Sequence, residues 1–389
     1  MKTHFRPLVG GLTLAMAMSA AHAQVNAADL PSFDAPNVYV MSNGINANSV
    51  AILKRNFFGG LNKVAVVPTG GKGVGVGTIA PPPDPLGSQN ALLKSQDGRW
   101  LFAVNAGSNQ VSVFAIRHDD LQLVDIVASG GTYPVSLTQR GNRLFVLNAA
   151  GAASVNVFQI GPAGNLNPIT NETRVIGTDQ PLVTNQPNVG MTPAQLQFTP
   201  DGKWLVVSVK DASAKGYFEL FGIDRQGSLT QDPVISSSND AQPFGFAFDG
   251  NGHLISSEAV GSAASSYAVG RNGSLSAISA DVANGQAAAC WLAVSGHYAY
   301  TSNAGKGNIS AYRIDGAGHL TLAKAVAATL ETGAAATDIK ASPDGLFLYV
   351  ANSLGGDIDT FLIVGDGQLI RVGDTSVFPL ASGMQGLAL

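Results

Sequence analysis

The sequence is short of charge. Only 12% of its 389 residues are Asp, Glu, Lys or Arg, the net charge is -4, and no basic block occurs. That balance speaks against a nucleic-acid partner, which would need a clustered basic surface. Cysteine is nearly absent. The single Cys290 cannot form an internal disulfide, so the fold has to stand on its core. Metal-ligand spacing is missing as well. His118, His253, His297 and His319 fall in or beside predicted turns with no common motif, so neither a metal site nor a cofactor is implied. The glycine run from Gly73 to Gly77 lacks the Gly-Lys-Ser/Thr ending of a phosphate loop, and prolines follow it where a helix would be required.

Long apolar runs are scarce too. The stretch from Leu8 to Ala21 follows Lys2 and Arg6 and closes on Ala21-His22-Ala23, a small-x-small pattern. It is shorter than the roughly 20 residues a membrane span needs, and its flanks are those of a secretory signal peptide cut after Ala23. The expected organisation is therefore a signal peptide (1–23), an N-terminal arm (24–36) and one domain (37–389). The mature protein is expected to be periplasmic or secreted, with no membrane span after cleavage.

What the sequence has in abundance is glycine, with 46 residues, and apolar residues, at 45%. This composition suits many short buried strands joined by tight turns. A repeat orders them. Tyr39–Asn43, Phe102–Asn105, Phe145–Asn148, Tyr300–Asn303 and Tyr349–Asn352 are variants of one strand motif, with weaker copies at Val206–Val209 and Ile255–Glu258. The period of roughly 45 to 60 residues makes one repeat architecture the natural reading. Six copies are preceded by an inner strand, at Ala91–Ser95, Pro134–Thr138, Ala194–Phe198, Phe244–Phe248, Trp291–Val294 and Thr337–Ala341. The first copy has no such partner, and the chain ends on an unattached one, Gln385–Leu389. These leftovers complement each other. The expected fold is all-β, a seven-bladed β-propeller closed by pairing of its N- and C-terminal strands, which leaves no free edge at the seam. Gly-x-Leu turns beginning at Gly164, Gly227, Gly273, Gly318 and Gly367 mark the outer hairpins. The stretches 59–88 and 170–191 read as long loops leading toward the face where the inner strands begin.

Aligning the inner strands places Ala91, Pro134, Gln195, Gly245, Trp291, Asp338 and Gln385 at one level near a mouth of the channel. Gln195, Trp291 and Gln385 there are candidate substrate-binding residues. Alternation along a strand points Lys340 the same way as Asp338, which makes the two a candidate base and electrostatic clamp, or a compensated ion pair. Glu258 is the one acid in the series of motif positions, standing where Asn43, Asn105, Asn148, Asn303 and Asn352 stand in other copies, and is the third candidate catalytic residue.

At Tyr349–Asn352, Tyr300–Asn303 and the Ser342–Asn352 segment SPDGLFLYVAN the sequence resembles the seven-bladed propeller lactonases, which include 6-phosphogluconolactonase and carboxy-muconate cyclase relatives. It is similar also to the Tyr-Val-Thr-Asn repeat proteins of cell surfaces. The resemblance implies opening or closing of a lactone ring without a metal, by polar residues around one mouth of the channel. Family members typically carry Ala-Asp-Ile-His where this chain has Thr337-Asp338-Ile339-Lys340, and an Arg-His pair where it has Phe244-Gly245. The Asp is kept and the Arg and His are lost, which removes the obvious clamp for a phosphate. Two functions follow as expectations. One is an exported lactonase-like enzyme acting on a small-molecule lactone or organic acid. The other is a non-catalytic propeller holding a protein, glycan or cell-envelope partner.

Overall fold

The computed structural model describes residues 37–76, 84–182, 186–240, 242–331 and 334–389. The expected signal peptide (1–23) and arm (24–36) lie outside them. The described residues form seven four-stranded antiparallel sheets and no α-helix. Blade 1 joins Leu387–Ala388 to Val38–Met41, Ser49–Arg55 and Leu61–Pro68, with Tyr39 opposite Ala388 and Val40 opposite Leu387. The expected closure is thus present. The inner strands of blades 2 to 7 are Leu92–Lys94, Thr132–Arg140, Pro193–Phe198, Pro243–Phe248, Ala289–Ser295 and Ala336–Ala341. Each packs against the inner strand of the next blade, and the contacts run back to Leu387–Ala388, so the ring is a propeller.

Why these segments become strands is visible in their burial. Second strands such as Trp100–Asn105 and Phe347–Asn352 are buried along their whole length, because adjacent blades cover both faces; they read as continuous apolar runs. The outer hairpin glycines Gly164, Gly227, Gly273, Gly318 and Gly367 all have φ between 70° and 88°, a region that costs a side chain and not glycine. The Asn residues closing the motif stitch blades together. Asn105 accepts from Thr69 (2.7 Å) and Asn48 (3.0 Å) of blade 1 and donates to Ser112 (2.7 Å) of its own.

Two expectations are corrected. The stretches 59–88 and 170–191 are not all loop. Each carries an outer strand, Leu61–Pro68 and Arg174–Gln180, the first with only Leu61 buried. An outermost strand packs on one side alone, so its apolar signal is weak. The alternation used to set Asp338 and Lys340 side by side also fails, although the two charges still act on each other. The pairing register shifts between Thr337 and Ile339, leaving Asp338 as an extra residue with φ 50°. Comparable shifts occur near the starts of the inner strands of blades 3, 4, 5 and 6. A bulge re-aims the side chains beside it, and here bulges ring the channel mouth.

Candidate functional site

The inner strands of blades 4, 5, 6 and 7 are buried at their beginnings and half-buried over their last two residues. The asymmetry has one cause. The segment Asp84–Asn90 crosses the channel at the beginning end, and Pro85 through Asn90 are buried there. The level expected to be an open mouth is therefore filled by the chain itself.

Each candidate residue of that level has a definite partner. Trp291 is fully buried, its Nε1 donates to Ser88 O (2.7 Å), and its ring meets Phe244 edge-on at 5.0 Å. Gln385 donates to the same oxygen (2.8 Å) and accepts from Leu86 N (3.1 Å). Lys340 donates to Asn90 Oδ1. Gln195 instead ties blade 4 to blade 5, accepting from Phe246 N (2.8 Å) while its amide donates to Phe246 O (2.8 Å). Asp338 accepts from Ile339 N (2.9 Å) and from Leu387 N (2.8 Å) on the closing strand. Burial raises its carboxyl above the usual range, against the pull of Lys340; burial lowers the Lys340 ammonium, against the pull of Asp338.

Four participants were not singled out in the sequence. Lys210 closes the second strand of blade 4 at the motif position where five other blades carry Asn, so the alignment that found Glu258 contained the signal. It is 1% exposed, donates to Gly87 O, and stands 4.5 Å from the centre of the Phe244 ring. Burial lowers its ammonium to about 8, opposed by Asp84. Burial raises Asp84 to about 6, opposed by Lys210 and by Gly87 N–H, which Asp84 Oδ1 caps at 2.8 Å. Tyr133 donates to Pro85 O. Gln89 exchanges two bonds with Leu292, 2.8 Å to its O and 3.0 Å from its N. No sequence signal marks the last three, because they meet only through the path of the crossing segment. Cys290 lies beneath the same cluster, its thiol pushed up by burial.

The structure does not bring Glu258 to this group. Glu258 is fully buried, and its carboxyl faces the Ser238 hydroxyl (3.1 Å to each oxygen) and the Tyr267 hydroxyl (3.3 Å). The described residues contain no group of three or more His, Cys, Asp or Glu side chains placed to hold a metal ion, and no helix long and apolar enough to cross a membrane.

Among known proteins, the family model described as "Lactonase, 7-bladed beta-propeller" matches residues 47–183 and 260–378, well over half of the chain. The chain belongs to the seven-bladed β-propeller lactonase family. The solved structures this lactonase-family propeller resembles include a candidate 6-phosphogluconolactonase of Bacteroides fragilis (21% identity, 92% of this chain and 99% of that one, TM-score 0.67). They include also the periplasmic gluconolactonase of Pseudomonas aeruginosa (17% identity, 90% and 98%, TM-score 0.66). Likeness at this level of identity concerns the fold. No curated protein matches the sequence. The family match lapses over 184–259, the stretch that carries Gln195, Lys210, Gly245 and Glu258.

Glu258 in this lactonase-family member makes a pH prediction. Burial pushes its carboxyl from 4.5 up to about 8, with Ser238 opposing and Asp240 and Asp281 adding to the rise. A folded-state value above the unfolded one means that the native protein keeps a proton the unfolded chain releases. The stability this provides is complete below the unfolded value and is lost as pH rises toward the folded value. Between about pH 5 and 9 the wild type is expected to lose about 2–4 kcal/mol that Glu258→Gln retains. Urea unfolding of both proteins across that range measures the difference. Parallel stability curves would remove the buried protonated carboxyl from the account.

Proposed function

We propose that this protein is an exported lactonase that opens a small lactone to its hydroxy acid, or closes the ring in reverse, at the channel end where the inner strands begin. The observation that carries the reading is the meeting of two carboxyls and two lysines, Asp84, Asp338, Lys210 and Lys340, around one end of a lactonase-family channel. In hydrolysis, Asp338 takes a proton from water as its oxygen bonds to the acyl carbon. Lys340 and Lys210 stabilise the charge that develops on the carbonyl oxygen; the acyl C–O bond of the ring then breaks, and the ring oxygen takes up a proton. Trp291 and Gln385 shape the site, and Gln195 holds blade 4 against blade 5 behind it. Glu258, sealed and protonated near neutral pH, has no part in the proton transfer.

Export rests on Lys2, Arg6, the run Leu8 to Ala21 and the Ala21-His22-Ala23 cleavage pattern. N-terminal sequencing of the protein recovered outside the cytoplasm is expected to begin at Gln24. Activity is tested by acid release in a pH-stat over a panel of lactones that spans ring size and hydroxylation. Absence of acid release from every lactone would sink the enzymatic reading. It would then favour the alternative, a propeller whose filled mouth is structural and whose partner is a protein or glycan. The filling of the mouth by Asp84–Asn90 is the observation in favour of that alternative.

A further inference from the structure

The contacts of Asp84–Asn90 have a common chemistry. Along it, acceptor oxygens of the segment receive side-chain donors of the ring: Pro85 O from Tyr133 and Gln186, Gly87 O from Lys210, Ser88 O from Trp291 and Gln385, Gln89 O from Ser136, and Asn90 Oδ1 from Lys340. Two of these donors are lysines. Neither ammonium faces neutral groups alone: the segment's own Asp84 offsets Lys210 and Asp338 offsets Lys340, and Lys210 is taken out of water to make its bond. A socket that faces five oxygens with two cations and five neutral donors, and in which the segment's Asp84 carboxylate stands near Lys210, suits a small carboxylate rich in hydroxyl or carbonyl oxygens, whose anionic group would take the place of Asp84.

The ring has also made room for the segment. A Cβ on Gly245 would stand 2.1 Å from Gln89 Oε1, so the glycine is the space that the Gln89 side chain occupies. A Cβ on Gly87, where φ is 58°, would stand 2.7 Å from Val189 Cβ and 2.9 Å from Lys210 Nζ. The segment is thus fitted to the socket from both sides.

We propose that Asp84–Asn90 is an internal ligand, a strap whose oxygens stand in for those of a hydroxycarboxylate, and that such an anion displaces it. The proposal rests on the reading of the mouth as the lactonase site and adds how that site is kept closed and what opens it. Lys210 is the lock: its ammonium holds Gly87 O in the closed state and is the group freed to face the substrate oxygen when the strap leaves.

Hydrogen–deuterium exchange of the strap tests this. Its amides of Leu86 and Gln89 are bonded to Gln385 Oε1 and Ala194 O of the ring, so displacement exposes them together. D-Gluconate serves as the hydroxycarboxylate probe and sorbitol as its uncharged counterpart. Gluconate is expected to accelerate exchange in the strap by about tenfold or more, and sorbitol to leave it unchanged. Lys210→Met and Gly87→Ala are expected to raise exchange without any ligand and to speed modification of Cys290, the one cysteine and a built-in reporter beneath the strap. Strap amides that ignore gluconate in the wild type overturn the proposal, whatever the variants do. So does a Cys290 that reacts at the wild-type rate in both variants. Acid release from lactones with no response of the strap would leave the hydrolytic reading standing and remove this one. A strap that responds in a protein with no hydrolytic activity would do the reverse.

Discussion

A chain ended at Met384 is expected to lose about 5 kcal/mol or more of stability, a large share of what a domain possesses. The loss has three parts. Leu387 is fully buried, and removing it forfeits about 2 kcal/mol of burial. The pairing of Leu387 and Ala388 with Val40 and Tyr39 goes, with the flanking backbone bonds Met41 N to Gly386 O (3.0 Å) and Gln385 N to Met41 O (3.1 Å) and both side-chain bonds of Gln385 to the strap. Asp338 then stays buried without the Leu387 N–H it accepts from, at a further cost of about 1–3 kcal/mol. The opened ring also presents Val38–Met41 as an unpaired edge, so aggregation should accompany the loss. Denaturant melts of the truncated chain measure the first effect and light scattering the second. Because Ala388 lies opposite Tyr39, a permuted chain that runs 385–389 through a turn of about four residues into Asn37 restores the hairpin and should recover stability. A truncated chain as stable as the full one would show that the seam contributes nothing.

The second large effect concerns catalysis. Asp338→Asn is expected to lower kcat for lactone opening by about 10²- to 10³-fold, the usual scale for removing a positioned base. Asparagine suits this test because it tolerates the left-handed backbone at 338, where φ is 50°, and keeps an oxygen for Leu387 N–H. Asparagine has one acceptor oxygen where Asp338 uses two, the second for Ile339 N–H, so the variant should lose about 1–3 kcal/mol of stability yet stay folded while turnover falls, and KM should change little. Lys340→Met is expected to lower kcat less and to raise KM, since an ammonium that stabilises an oxyanion also holds an anionic product. Should both variants lose stability and activity in step, Asp338 would be a structural tie of the seam and not a base.

Much of the fold was legible because it is written in short-range terms. The strand motif ending at Asn352, its siblings ending at Asn303 and Asn148, and the Gly-x-Leu turns each report a local requirement, burial on two faces or a positive φ, that only certain residues meet. The outer strands Leu61–Pro68 and Arg174–Gln180 were hidden for the opposite reason. They bury one face against their own blade, and among exposed residues such as Lys63 and Val175 the alternation is lost in what reads as loop. Within the candidate site, Trp291, Asp338 and Gln385 were found because they share a level in the repeat, and Lys340 because it lies two residues beyond Asp338. Lys210 occupies an equally regular position, but its importance depends on what lies across the channel. Glu258 shows the limit of such reasoning: a departure from the repeat marks an unusual residue without saying whether it faces a ligand or, as here, Ser238 and Tyr267.

The sequence by itself determined the number of blades, their order and the seam, since a repeat must close and its unpaired strands must find each other. Only the tertiary structure decided what the mouth holds. The bulge at Asp338 turns that side chain out of the strand alternation, and a bulge is settled by how neighbouring strands register. The path of Asp84–Asn90 is decided further still from the local chain. That segment has no periodicity of its own, and its position is the sum of bonds to five blades, from Tyr133 on blade 3 to Gln385 at the closing strand of blade 1. A segment held only by long-range partners carries no local signature, which is why the mouth looks open in the sequence and is filled in the fold.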